Sequence, residues 1–170
     1  MSTRAGGPPG RFHDPGTRLE EFLDEVLVRC AALAEVTPSP TDDRVADGRR
    51  PSWLGDRRLV CPACALTRAW PPDGARRECL TGTDVDPWFR EPLWLRTDVA
   101  GHVLWAYNLR HLALLDSYVA ATQRTNDRTP GMIHTLLNRL PTWMKQARHR
   151  DEIRVAIARL RASVASPGRS

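Results

Sequence analysis

The sequence has almost no lysine, because Lys145 is the only one among 25 basic side chains. Against 20 acidic residues, the 25 basic residues leave a net charge of +5 over 170 residues. We interpret the bias toward Arg, Ala and Pro as the composition of a GC-rich bacterial genome. The positive balance favours acidic partners without requiring them.

The chain also lacks any apolar run long enough to span a membrane, so we expect no membrane association. Residues 1–16 are mostly Gly, Pro and polar residues, without the apolar stretch of a secretory signal. The sequence therefore predicts a cytoplasmic protein. In that compartment its four cysteines are expected to be reduced or metal-bound rather than paired in disulfides.

A recognisable catalytic constellation is missing as well. The five histidines, His13, His102, His111, His134 and His149, are scattered. The sequence contains no Ser-His-Asp order, glycine-rich phosphate loop or His-Glu-x-x-His motif. Asp84 and Asp86 in "TGTDVDPW" could bind a cation, but such a string is more often a polar turn. We expect a protein that is not an enzyme.

Only one Cys-x-x-Cys pair is present, Cys61 and Cys64 in "LVCPACALTRAW". A tetrahedral zinc site needs four ligands, which usually come from two Cys-x-x-Cys turns, called knuckles. Cys79, separated from Cys64 by fourteen intervening residues, is the predicted third ligand. The fourth could be His102, Asp84 or water. The alternative is a decayed knuckle that survives as a tight turn without metal.

Cys30 is the only cysteine upstream of that pair. It falls in the apolar pattern of a predicted helix, so we favour core packing over metal ligation for this thiol. If the segment descends from a knuckle, Leu27 occupies the place of the other ligand. A redox role for Cys61 and Cys64 is disfavoured, because redox pairs normally begin a helix, and Pro71 and Pro72 end this segment too early.

The apolar periodicity predicts an α+β fold in one domain over residues 17–163, between disordered tails at 1–16 and 164–170. Thr17 and Glu20 form a capping-box pattern before a helical stripe, which predicts an amino-terminal helix over 17–34. Two β-hairpins are predicted at about 57–70 and 92–107. Together with the helix they form the part 17–107. Asn108 is a favourable N-cap for a helical unit over 108–163, with a second helix starting at Thr129 and Pro130 and a break near His149.

Three strings carry a resemblance over roughly Leu59–Leu160: "DPWFREPLWL", "GHVLWAYNLRHL" and "LNRLPTWMKQARHRDEIRVAIARL". In them the chain resembles a group of small, functionally uncharacterised bacterial proteins that carry a zinc ribbon ahead of a hairpin and helices. The resemblance implies a metal-binding module with two Cys-x-x-Cys knuckles, loosely related to transcription-factor zinc ribbons, and implies no activity. The chain departs from that pattern at Ala65 and Arg90, where glycine is usual, and in its single Cys-x-x-Cys pair.

The positive charge is concentrated near the carboxyl terminus. Between residues 137 and 163 the only acidic residues are Asp151 and Glu152. The same segment contains seven basic residues: Arg139, Lys145, Arg148, Arg150, Arg154, Arg159 and Arg161. A helix places Arg150, Arg154 and Arg161 opposite a buried stripe, which suits contacts with phosphates. We predict a nucleic-acid-associated module that uses Arg139, Lys145, Arg148, Arg150, Arg154 and Arg161. The alternatives are an adaptor that binds an acidic partner protein, or a merely soluble charged surface.

Overall fold

The structure is a computed structural model that describes residues 11–40, 55–71, 81–121, 123–125 and 135–166. It confirms an α+β architecture. The strands are β1 (Arg11–His13), β2 (Val26–Arg29), β3 (Leu33–Pro38), β4 (Arg57–Val60), β5 (Thr67–Trp70), β6 (Leu95–Val99), β7 (His102–Ala106) and β8 (Gln123–Thr125). The α-helices are α1 (Leu109–Ala120), α2 (Thr142–Lys145) and α3 (Arg150–Ala165), and 3-10 helices span Leu19–Phe22 and Ala147–His149.

The predicted amino-terminal helix over 17–34 is wrong. Only the 3-10 turn Leu19–Phe22 is helical there, and β2 and β3 follow as an antiparallel hairpin in which Val26 pairs with Val36 and Arg29 with Leu33. Consecutive residues Val26, Leu27 and Val28 are all buried, so both faces of β2 are covered. A strand covered on both faces is apolar at every position, and a continuous apolar run also satisfies helical spacing.

Strands β2, β3, β4 and β5 form one antiparallel sheet in that order, called the ribbon sheet below. The predicted hairpin over 57–70 is confirmed as β4 and β5, with Arg57 opposite Trp70 and Val60 opposite Thr67. The hairpin predicted within 92–107 is confirmed as β6 and β7. Its turn residues Ala100 and Gly101 both have positive φ, 51° and 77°, as expected for the tight turn that matches strand twist.

The backbone of β2 also forms hydrogen bonds on the side that faces away from β3. The Leu27 amide donates to the Tyr107 carbonyl at 2.8 Å, and the Trp94 amide donates to the Leu27 carbonyl at 2.9 Å. The Asn108 side-chain amide donates to the carbonyls of Phe22 and Glu25, each at 2.9 Å. The ribbon sheet is therefore bonded directly to the second hairpin and to the start of α1.

α1 begins where the sequence predicts, because the Asn108 side chain accepts the His111 amide at 2.9 Å as an N-cap. It buries Leu112, Leu115 and Val119. α3 packs beside it through Ile153, Ala156, Ile157 and Leu160. One apolar cluster contains residues of the sheet, the second hairpin and both helices.

The helical unit predicted over 108–163 is interrupted. Thr129 and Pro130 lie outside the described residues, and residues 135–140 form turns instead of the predicted helix. The Leu136 amide donates to the Thr17 carbonyl at 2.9 Å, and the Thr135 hydroxyl donates to Asp14 at 2.7 Å. These tertiary partners replace helical bonds. β8 lies between α1 and this segment and pairs in parallel with β1, which falls within the predicted tail 1–16.

Two non-glycine residues take left-handed backbone conformations at the positions where the resemblance implies glycine. The φ values are 59° at Ala65 and 64° at Arg90. A side chain at such an angle costs roughly 1–2 kcal/mol, because Cβ approaches the following carbonyl oxygen. The backbone at both residues thus adopts a conformation that glycine favours.

Replacing Arg90 with glycine is expected to raise the free energy of unfolding by about 1 kcal/mol, since the steric cost exceeds the added chain entropy. Urea denaturation measures the change. Arg58→Gly is the matched control, because Arg58 is also exposed but lies in extended β4. The control should lower the free energy by roughly 0.5–1 kcal/mol. Equal losses in both variants would contradict the strain argument.

Candidate metal centre

Two turns at the same end of the ribbon sheet bring three cysteines together. Cys30 lies in the turn between β2 and β3, and Cys61 and Cys64 lie in the turn between β4 and β5. Because β3 runs antiparallel to both β2 and β4, these turns are neighbours at one end of the sheet. The three cysteines thus come from two successive hairpins.

The sulfur atoms have the spacing of metal ligands. The Sγ atoms of Cys30 and Cys64 are 3.5 Å apart, and all three Sγ atoms lie within 4.8 Å of one another. Tetrahedral zinc with bonds of about 2.3 Å separates its sulfur ligands by about 3.8 Å. The arrangement therefore fits a thiolate-bound cation with only small movements of the side chains.

The second turn has the backbone of a metal-binding knuckle. The Cys61 amide donates to the Leu66 carbonyl at 2.9 Å, which closes the turn. Ala65 supplies the left-handed residue after the second cysteine. The first turn is shorter, with the Cys30 amide bonded to the Ala32 carbonyl at 2.9 Å. Leu27 is buried within β2, so the first turn contributes one sulfur only.

The three thiols differ in environment. Cys61 is buried, whereas Cys30 and Cys64 are exposed. A hydrogen bond from the Cys64 backbone amide is the main cause that lowers the pKa of Cys61 to about 6. At Cys30 a hydrogen bond from the Ala31 amide lowers the pKa, but hydrogen bonds with Cys64 and Cys61, a small desolvation effect and the neighbouring charge of Cys61 outweigh it and raise the pKa to about 11. The surroundings of Cys61 thus favour its thiolate even without a metal, and a bound cation would favour the thiolate form of every ligand.

The sequence prediction found part of this site. Cys61 and Cys64 are brought together, while Cys79 lies outside the described residues. The prediction that Cys30 packs in the core is wrong, because the thiol is exposed and faces Cys64. The signal that could have identified it is the strand-like run on both sides of Cys30, which makes it the turn residue of a hairpin. Its absence from any Cys-x-x-Cys pair concealed that role.

The other candidates for cation binding have structural partners. Asp84 forms an ion pair with Arg96 at 2.6 Å, which lowers its pKa. Asp86 is fully buried and accepts three backbone amides. Burial raises its pKa despite those donors. His102 is exposed and stacks on Trp143 with ring centroids 4.9 Å apart. None of these residues belongs to the cysteine group, and the Asp84–Asp86 string forms the polar turn that its composition predicts.

Several basic residues of the predicted phosphate-binding face contact α1. The Arg150 guanidinium donates to the Ala121 carbonyl at 3.3 Å, just after the end of α1. Arg154 and Arg161 both pair with Asp116, at 3.9 and 3.3 Å. Their side chains remain 55% and 51% exposed. The face therefore borders the α1–α3 interface, with two guanidinium groups sharing one carboxylate.

The remaining three predicted basic residues lie before α3. Lys145 donates to the Asn138 carbonyl at 3.1 Å. Arg148 is exposed and donates to the Gln146 side chain at 3.1 Å. Arg139 is exposed at one side of an apolar cavity of about 220 Å³. That cavity lies between α1, β7 and residues 136–144, and no cysteine contributes to its described lining.

Comparison of the chain with family models, with curated proteins and with solved structures finds no match. Among the described helices, none combines the length and apolar character needed to cross a membrane. The cysteine group and the charged surface around α3 are the features of the described residues that bear on function.

Proposed function

We propose that this chain is a non-enzymatic, ribbon-type zinc-binding module in which Cys30, Cys61 and Cys64 hold one zinc ion. The observation that carries the proposal is the convergence of three sulfur atoms within 4.8 Å from two adjacent hairpin turns. Thiolate ligands favour zinc among the common divalent cations, and tetrahedral sulfur sites are typical of it. Cys79, downstream of β5 in the sequence, is the proposed fourth ligand.

The zinc would have a structural role. It would tie the β2–β3 turn to the β4–β5 turn, at an end of the sheet where the backbone ladder stops. A zinc site closed by four protein ligands leaves no position for a substrate, which suits a module that binds partners rather than one that catalyses a reaction. In that role the free energy of zinc binding stabilises the folded state directly.

Protein purified without added metal is expected to contain one zinc ion per chain by elemental analysis. Cys30→Ser, Cys61→Ser and Cys64→Ser should each lower zinc affinity by at least about 100-fold, because losing a ligand costs more affinity than losing a group that only hydrogen-bonds a ligand. Competition with a chelator measures the affinity.

Ala63→Ser is the matched control, since it adds the same hydroxyl to the same turn without removing a sulfur. It should retain zinc. Cys79→Ser tests the fourth position separately: a comparable loss of affinity would support a four-thiolate site. Undiminished zinc in the Cys61→Ser and Cys64→Ser variants would refute the proposed site.

We propose as a second function that the exposed arginines on and before α3 contact nucleic-acid phosphates. Support comes from Arg154 and Arg161, which share one carboxylate and remain about half exposed, leaving a net positive surface. Arg148 and Arg159 are exposed in the same region. Binding of an acidic partner protein by these side chains is the alternative.

Replacing Arg148, Arg154 and Arg161 with glutamine should lower the slope of log affinity against log salt by about three on duplex DNA, if each contacts one phosphate. Arg150 is left in place because it bonds the end of α1. The control variant replaces the exposed Arg18, Arg58 and Arg90 with glutamine, which changes net charge equally. Equal slopes in the two variants would mean that net charge alone acts. No binding by the wild type at low salt would favour the acidic-protein alternative.

A further inference from the structure

The three thiols of the cysteine group are not equally accessible to reagents in solution. Cys30 and Cys64 are exposed, and their sulfur atoms are the pair 3.5 Å apart. Cys61 has no exposed surface. We propose that Cys30 and Cys64 form a peroxide-sensitive dithiol, whose oxidation to a disulfide expels the zinc ion. The zinc release rests on the proposed zinc site, whereas the disulfide formation does not.

The geometry allows this pair to close. A disulfide bond is about 2.05 Å long, so the two sulfur atoms need to approach by about 1.5 Å. Both residues lie in turns outside the strand ladders, where side chains can rotate without breaking sheet hydrogen bonds. Cys61 is shielded by burial, which directs the oxidant to the exposed pair.

The chemistry needs a hydroperoxide as the oxidant. The Cys64 thiolate attacks the terminal oxygen of the peroxide, the O–O bond breaks, and the alcohol or water leaves with a proton taken from solvent. Cys30 then attacks the sulfur of this sulfenic acid, and its thiol proton, where still present, joins the departing hydroxide, so that a disulfide and water form. The two sulfurs together lose two electrons, which reduce the peroxide. Attack in the opposite order gives the same products.

Zinc keeps its oxidation state and leaves because two of its thiolate donors have become a disulfide, which is a poor ligand. The new bond joins the same two turns that the metal joined. The β2–β3 and β4–β5 hairpins therefore stay cross-linked, and the sheet persists after the metal has gone. The module would convert an oxidant signal into zinc release while its fold is retained.

The test treats the zinc-loaded full chain with hydrogen peroxide and follows zinc release with a colorimetric chelator. Disulfides are then mapped by trypsin digestion and mass spectrometry. Cleavage after Arg29 and Arg58 separates the Cys30 peptide from the peptide that contains Cys61 and Cys64, and fragmentation distinguishes the last two. We expect a Cys30–Cys64 disulfide, loss of the bound zinc, and recovery of zinc binding after thiol reduction.

In Cys30→Ser the cross-linked peptide should be absent, whereas Ala63→Ser should behave as the wild type. Cys61→Ser should form the Cys30–Cys64 disulfide although its zinc affinity is lowered, so the dithiol can be tested even if the zinc proposal fails. A Cys61–Cys64 or Cys64–Cys79 disulfide, or sulfinic acid without any disulfide, would overturn the inference. In a wild type that still contains zinc before oxidation, those results would leave the zinc proposal standing.

Discussion

Replacing Asp86 with alanine is expected to lower the free energy of unfolding by about 3–5 kcal/mol, since three backbone amides lose their acceptor. Its carboxylate accepts the Trp88 and Phe89 amides at 3.0 and 2.8 Å and the Glu91 amide at 2.6 Å. The first two amides are buried. The turn they form presents Trp88 to the guanidinium of the buried Arg57, 4.2 Å from the ring centroid. Loss of the turn would therefore also disturb β4.

Urea denaturation of Asp86→Ala and Asp86→Asn measures this effect. Asparagine keeps one oxygen acceptor but turns a donor toward at least one amide, so an intermediate loss of about 1–3 kcal/mol is expected. Asp98→Ala is the control, because Asp98 is exposed on β6, and its change should stay within about 0.5 kcal/mol. An unchanged midpoint for Asp86→Ala would show that the turn forms without its carboxylate.

The stability of the protein should fall steeply below pH 6.5 because of His111. Burial lowers its pKa to about 3. Its Nδ1 accepts the Tyr107 amide at 3.2 Å. Protonation of Nδ1 would turn this acceptor into a second N–H donor that faces the Tyr107 amide and would break the hydrogen bond. The unfolded histidine, with a pKa near 6.5, binds a proton more readily, so stability is complete above about pH 6.5 and lost as the pH falls toward 3. The loss approaches about 1.4 kcal/mol per pH unit, or roughly 3 kcal/mol by pH 4.5.

His111→Gln cannot titrate, so its unfolding free energy should depend less on pH than that of the wild type between pH 6.5 and 4.5. Parallel urea titrations at several pH values give the difference. His102→Gln is the matched control, since His102 is exposed, and it should retain the wild-type slope. If the unfolding free energies of the wild type and His111→Gln change with pH at the same rate, the folded protein protonates this imidazole as readily as the unfolded chain does, which would contradict the prediction.

Local signals predicted the parts of the fold whose burial follows a simple period. Asn108 marked the start of α1, and the alternation around the Ala100–Gly101 turn identified the second hairpin. The same reasoning failed at Val26–Val28, where strand β2 is covered on both faces and shows no alternation. It also failed at residues 135–140, whose amide and hydroxyl partners lie near residues 14–17 and leave no trace in local spacing.

For the candidate site, the sequence identified Cys61 and Cys64 from their spacing but assigned Cys30 to the core. The error follows from the mistaken helix, because a helix would have placed Cys30 in its apolar stripe and a hairpin places it in a turn. Ala65 shows the opposite case. Its identity departs from the glycine expected of a knuckle, yet its backbone retains the left-handed angle. Ligand position thus depends on tertiary pairing that spacing alone does not contain.

The outward bonding of β2 has a consequence for how the molecule comes apart. The Leu27 amide and carbonyl bond outward to Tyr107 and Trp94, while the residues on either side of it, Val26 and Val28, pair with β3. Cys30 follows the same strand directly. A disturbance at the cysteine group is therefore connected through one strand to the residues that precede α1. The sheet and the helices should therefore unfold together as one cooperative unit. Amide hydrogen exchange should show the same free energy of opening for β2 as for the helices.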